Sequence, residues 1–165
     1  MLSLNKHVLV FASIAVLASC GSKKDPNKTY FDNEADYNQY ISHQYDQVNE
    51  LWEYALNLMD DSLKVYHQLD SLEKTALTSA ANMQKLADFK GDTMYKYRAQ
   101  QYFIFMANTA SGSYREAVDI ALMQETPDSL IFKFENIGKQ IGKDKDLYVT
   151  QLLQAQQDFI TLTQK

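Results

Sequence analysis

The sequence predicts an all-α protein, an antiparallel up-down-up-down four-helix bundle that follows an export segment and a short tether. Three observations lead there. Residues 33–165 carry four successive apolar stripes at three- and four-residue steps, the spacing that gathers side chains on one face of a helix. Only 5 Gly and 2 Pro occur in 165 residues, so little interrupts long helices. The single cysteine rules out an intrachain disulfide and leaves stability to packing and helix propensity.

The chain begins with the three zones of a secretory signal in residues 1–19. Lys6 and His7 lie in a short polar start, Val8 to Leu17 form an apolar core, and small residues follow. A spanning helix needs about twenty apolar residues, and this run is shorter. Leu17-Ala18-Ser19-Cys20 resembles the lipobox of bacterial lipoproteins. The resemblance implies that the Cys20 thiol receives a diacylglyceryl group, that the chain is cut before Cys20, and that the freed amine takes an acyl chain such as palmitate. One acyl chain binds a membrane marginally, at about 0.8 kcal/mol per buried methylene, whereas two or three hold it stably. Gly21 stands where lipoproteins kept in the inner membrane often have Asp, so the expected location is the outer membrane of a bacterial envelope. Lys23-Lys24-Asp25 is similar to the surface-export tract of one group of Gram-negative bacteria, and reads equally as the start of a solvated tether. The periplasmic and surface faces both stay open.

The expected organisation is therefore a signal peptide over 1–19, a flexible tether over 20–32 and one helical domain over 33–165. The tether composition, mostly Gly, Ser, Lys, Asp, Asn and Pro26, cannot build a core. Net charge is −5, and removing 1–19, with Lys6 and no acid, makes the remaining 146 residues one unit more negative. That balance, with no basic stripe, argues against nucleic acid as a partner.

In the first helix, from about Asn33, Tyr37, Ile41, Val48, Leu51, Ala55 and Leu58 form the stripe, and Tyr45, Trp52 and Met59 widen it. Asn38, Asp46, Glu50 and Asn57 lie opposite. Asp60-Asp61-Ser62 are capping residues and predict a turn. The second helix runs to about Asp88 on Val65, Leu69, Leu72, Ala76, Ala80, Met83 and Leu86. Gly91 suits a left-handed cap, and Asp92 the start of the next helix. The third runs to about Met123 on Ala99, Tyr102, Met106, Ala110, Ser113, Ala117 and Ile120. Because its phase survives Ser111-Gly112-Ser113, a continuous helix is expected, kinked or closely packed at Gly112. Thr126-Pro127-Asp128 predicts the last helix start. Its stripe is Leu130, Phe134, Ile137, Ile141, Tyr148, Leu152, Ala155, Phe159 and Leu162. Gly138 and Gly142, one turn apart, either admit a neighbouring helix closely or mark a bend.

The sequence carries no clear catalytic, metal or cofactor signature. A di-iron bundle needs Glu-x-x-His pairs, and the chain has none. His43 and His67 each precede an Asp by three residues, Asp46 and Asp70, but about 15 Å of helix height is expected between them. They are expected on polar faces, with no metal and no cofactor. No Gly-rich phosphate loop or nucleophile elbow occurs. The 11 Tyr and 8 Phe are many for this length. Most are expected in the core and at helix edges, with Tyr40, Tyr54 and Tyr97 as candidate contact aromatics. Asp-hydroxyl-apolar triplets at Ser62, Ser71, Thr93 and Ser129 resemble the O-glycosylation sequon of the same bacterial group, and capping also gathers such residues at helix starts.

Taken together, the lipobox, the tether and the helical remainder resemble small bacterial surface lipoproteins. The resemblance implies a non-enzymatic, lipid-anchored envelope protein that acts by contact with another envelope or surface component. The alternative is a carrier bundle that binds a small apolar ligand between its helices, for which a continuous internal cavity would speak.

Overall fold

The computed structural model describes residues 24–58 and 62–163. The signal segment, Cys20 and the expected turn at Asp60 and Asp61 lie outside the described residues, as does the Ser62 side chain. The described chain is mostly helical: α1 (Glu34–Leu56), α2 (Ser62–Lys85), α3 (Met94–Ser111), α4 (Ser113–Ala121) and α5 (Asp128–Thr163). Its only extended pairings among the described residues are two isolated bridges, Thr29 with Leu86 and Phe89 with Asp92. No helix among the described residues is long and apolar enough to cross a membrane.

Each helix starts and stops for a local reason. Asn33 caps α1, its Oδ1 accepting from the Asp36 N–H at 2.8 Å, with Glu34 and Asp36 in the positive first turn. Past α2, Lys90 and Gly91 take left-handed backbone (φ 49° and 84°), which turns the chain as the glycine predicted. Asp92 then accepts from the Tyr95 N–H through Oδ2 at 3.2 Å, although Thr93 is the residue just before α3. The expected unbroken third helix is two helices. At Gly112 the backbone turns to φ −118°, ψ −101°, and a Cβ there would sit 2.9 Å from the Asn108 carbonyl oxygen. The apolar phase crosses the break unharmed, which is why the stripe read as continuous. At α5, Pro127 precedes the first turn, and its carbonyl accepts from Leu130 and Ile131.

The predicted stripes meet in one core. Tyr37, Ile41, Val48 and Ala55 of α1, Val65, Leu69, Leu72 and Met83 of α2, and Ala99, Tyr102, Met106 and Ala110 of α3 are all buried. Ala117 and Ile120 of α4 join them, with Ile141, Leu152, Ala155 and Phe159 of α5. Leu162 departs from expectation: it is 52% exposed, and Thr163, one residue on, is buried with its hydroxyl donating to the Phe159 carbonyl at 2.9 Å. The last step of the stripe is four residues, not three. α2 packs most extensively on α3, and α3 on α5, whereas α1 and α5 barely touch.

Where α1 and α5 do meet, the buried Tyr37 and Phe159 rings stack at 5.2 Å and polar side chains add to the contact. Gln156 Nε2 donates to Asn38 Oδ1 at 2.8 Å and to Ser42 Oγ at 3.2 Å, and the buried Tyr95 hydroxyl donates to the same Asn38 oxygen at 2.9 Å. Between α1 and α2, Asn82 Nδ2 donates to the buried Gln44 Oε1 at 3.1 Å. Gln44 falls in no predicted stripe; its partner on α2 is what makes its burial tolerable.

The outer half of the expected tether is folded onto the helices. Thr29 N–H donates to the Lys85 carbonyl at 2.8 Å, and Ala87 N–H to the Thr29 carbonyl at 2.9 Å. The half-buried Phe31 ring lies 5.1 Å from Tyr40 and 6.1 Å from Tyr37. The polar composition of 20–32 hides these two attractions, an unsatisfied carbonyl at the end of α2 and one large apolar ring.

Candidate functional site

A cleft of about 400 Å³ opens between the last turns of α1, α4 and the middle of α5. It lies toward the C-terminal end of α1, away from Asn38 and Gln156, where α1 and α5 also meet. Its walls are aromatic and aliphatic: Trp52 and Leu56 from α1, Tyr114 and Ala117 from α4, Phe134 and Ile141 from α5. The Trp52 and Tyr114 rings are 5.0 Å apart. Gly138 and Gly142 complete the lining, and a Cβ added at either meets nothing within 4 Å. The expectation that these glycines admit a neighbouring helix closely is thus corrected. They leave open space, and α5 runs through both without a break.

Three charged groups line the same space. Lys145 Nζ reaches Glu53 Oε1 at 3.2 Å and stands 5.2 Å from the centre of the Trp52 ring, so its charge is already shared between a carboxylate and a π face. Its side chain is only 18% exposed. Asp146, beside it, is exposed and has no ion pair or hydrogen bond among the described residues. Two carboxylates thus face one ammonium. The lining holds no Ser, Cys or His. The lining is an apolar surface with an acidic rim. Burial pushes the Tyr114 phenol up to about 12, so it is neutral at ordinary pH.

Exposed apolar side chains continue the cleft outward. Leu56 on its edge is 44% exposed, and Ile131 at 45% extends the α5 stripe that carries Phe134 and Gly138. Between residues 128 and 140 α5 buries no side chain fully, although Leu130, Ile131, Phe132, Phe134 and Ile137 lie there.

The residues singled out from sequence fall elsewhere, and the structure does not bring them together. Tyr40 is half-buried and lines a polar groove with Gln44, Ser79 and Asn82. Tyr97 lines a hollow with Met83 and Met94 at the end where Thr29 docks. Tyr54 is exposed on α1. Ser71, Thr93 and Ser129 are exposed, and the Ser71 hydroxyl donates to the His67 carbonyl at 2.9 Å. His43 and His67 are exposed on separate helices, and no group of three or more His, Cys, Asp or Glu able to hold a metal occurs among the described residues. The sequence hides the cleft because Trp52 reads as core. Its sequence signal is the pair Gly138 and Gly142 set between Phe134 and Ile141.

In comparisons with known proteins, the chain matches no protein-family model, no curated protein and no solved structure.

Proposed function

We propose that the protein is a non-enzymatic, lipid-anchored component of a bacterial envelope that acts by contact, and that the cleft between α1, α4 and α5 is where contact is made. The observation that carries this reading is the apolar surface of the cleft, where Leu56 is exposed and Phe134 half-buried beside the nearly buried Trp52 and Ile141, with the exposed Ile131 on the same stripe of α5. Exposed apolar surface of this kind is a usual mark of a binding site. The anchor rests on the resemblance of residues 17–20 to a lipobox, which would lipidate Cys20.

The geometry suits a tethered binder. The chain enters the folded part beside Thr29 and Leu86, while Trp52 lies nineteen residues along the chain from Asn33, or about 28 Å along α1. An anchor at Cys20 would hold the first end near its membrane and present the cleft at the other. The helices themselves are read as an up-down-up-down four-helix bundle, with α3 and α4 as one bent third rod. Supporting that topology, Asn38 and Ser42 near the start of α1 meet Gln156 near the end of α5, and Glu53 meets Lys145. Gln44 and Leu51 meet Asn82 and Gln68 of α2, again in reversed order.

The test is a photo-crosslinking residue placed at Leu56 in cells that make the full chain, with the same residue at Thr78 as a control on another face. A defined adduct from Leu56 alone is expected, with loss of membrane association in Cys20→Ala. Equal adducts from both positions, or membrane association untouched by Cys20→Ala, would overturn the corresponding half of the reading. The carrier reading keeps one point in its favour, since about 400 Å³ lies within the range of small-molecule sites.

A further inference from the structure

The cleft's charges say more about its occupant than its apolar walls do. Lys145 is the one ammonium in the lining, and Glu53 and the Trp52 ring already engage it, so it offers little to an incoming anion. Asp146 is unpaired among the described residues, and Glu53 shares its charge with Lys145 alone. The rim therefore keeps an unbalanced negative charge beside an aromatic wall. An occupant with a large apolar body and a positive end would satisfy both. The cleft is also open along one side, where Leu56 is exposed, and Ile131 extends its apolar surface beyond the lining. A small ligand is normally enclosed over most of its surface. An open trough with an apolar border fits a side chain presented by a larger partner.

We infer that the cleft receives a segment of a partner protein in which a large apolar side chain is followed by Lys or Arg, the apolar group lying against Trp52 and Phe134 and the cation reaching Asp146. This rests on the reading of the cleft as the contact site. Gly138 and Gly142 matter because they leave the α5 wall without side chains, so that the apolar group lies directly on the helix backbone.

The chain supplies its own reporter, since Trp52 is its only tryptophan. The full-length chain in phosphatidylcholine vesicles is titrated with acetyl-Leu-Phe-Lys-amide, with the Gln and Glu peptides of the same frame, and with octylammonium. The Lys peptide is expected to change Trp52 emission, whose indole borders the cleft, and to bind roughly three- to tenfold tighter than the Glu peptide at low salt, the range of an exposed ion pair exchanged for a repulsion. Asp146→Asn, at an exposed position that leaves folding intact, is expected to abolish that difference. Gly142→Leu is expected to abolish binding of all three peptides. Equal affinity for the three peptides overturns the positive end and leaves the cleft standing as the contact site. Octylammonium binding more tightly than every peptide overturns the protein partner in favour of a small ligand. No emission change with any probe overturns the inference and the cleft reading together.

Discussion

Lys145 Nζ stands over the indole of Trp52, 5.2 Å from the ring centre, and joins α5 to α1 beside the cleft. A cation held over an aromatic face contributes about 0.5–2 kcal/mol depending on its desolvation, and the 18% exposure of Lys145 places it toward the upper part of that range. Lys145→Met keeps the aliphatic stem and removes the charge. It is expected to cost about 1 kcal/mol in denaturant unfolding and to change Trp52 emission without loss of helix. An unchanged emission spectrum would mean that the ammonium does not occupy this position.

Two buried tyrosines should respond oppositely to loss of the hydroxyl. The Tyr95 hydroxyl donates to Asn38 Oδ1 at 2.9 Å, whereas the Tyr102 hydroxyl is buried with no partner among the described residues. A net hydrogen bond contributes about 1 kcal/mol, and an unsatisfied buried polar group costs roughly 1–3 kcal/mol. Tyr95→Phe is therefore expected to destabilise by about 1 kcal/mol and Tyr102→Phe to stabilise by a similar amount. Unfolding midpoints of the two variants, read against the parent, decide it; a loss in Tyr102→Phe equal to that in Tyr95→Phe contradicts the assignment.

The same burial gives the protein an alkaline limit. Burial raises the phenols of Tyr95 and Tyr114 to about 12 and those of Tyr37 and Tyr102 higher still, against an ordinary value near 10. The folded state then holds protons that the unfolded chain releases above pH 10, so the unfolded form gains on raising the pH. The stabilisation is fully present below about pH 10 and is lost progressively as the pH climbs toward and through the raised values, by up to about 1.4 kcal/mol per pH unit for each tyrosine. Denaturant midpoints at pH 8 and pH 9 should agree closely and then fall steeply above pH 10. Tyr102→Phe should make that fall shallower, and an equal slope in the variant contradicts the account.

The helix faces are legible in the sequence and the cleft is not, for different physical reasons. Ala99, Tyr102, Met106, Ala110, Ala117 and Ile120 repeat at helical spacing and are all buried, because periodicity is a local property that the chain writes directly. The break at Gly112 leaves that phase unaltered and so has no signature beyond the glycine itself. Gln44 is buried because Asn82, on another helix, meets it. The cleft depends on how α1, α4 and α5 dock, and α1 is far from the other two in sequence. Trp52 reads as core, and is indeed 5% exposed, yet it also faces the open space beside Gly142.

Gly112 should tolerate no side chain. A Cβ there lies 2.9 Å from the Asn108 carbonyl, a backbone atom whose movement would disturb the last turn of α3. Overpacking of this kind costs about 1–3 kcal/mol. Gly112→Ala is expected to lower the unfolding midpoint by that amount while the far-ultraviolet spectrum stays helical. Gly138→Ala, where a Cβ meets nothing within 4 Å, serves as the control and should be neutral or stabilising by up to about 1 kcal/mol, as alanine is the better helix former. Equal losses at the two sites would contradict the geometry at Gly112.

The docking of Thr29 and Phe31 decides where the tether ends. If those contacts hold residues 29–31 to α1 and α2, a domain anchored at Cys20 rides closer to its membrane than a tether reaching residue 32 would allow. Phe31 is half-buried against Tyr37 and Tyr40, so Phe31→Ala forfeits part of the roughly 3–5 kcal/mol that truncating a buried phenylalanine costs, about 1–2 kcal/mol. The loss should be local as well as global. Trypsin cleavage after Lys28, beside the Thr29 bridge, is expected to accelerate severalfold in Phe31→Ala under native conditions, because cleavage requires the segment to lift from α2. Cleavage after Lys139, on the exposed side of α5, should keep its rate and so separates local release from general unfolding. Equal acceleration at both sites would show that Phe31 supports the whole fold and not the docking of the segment before it.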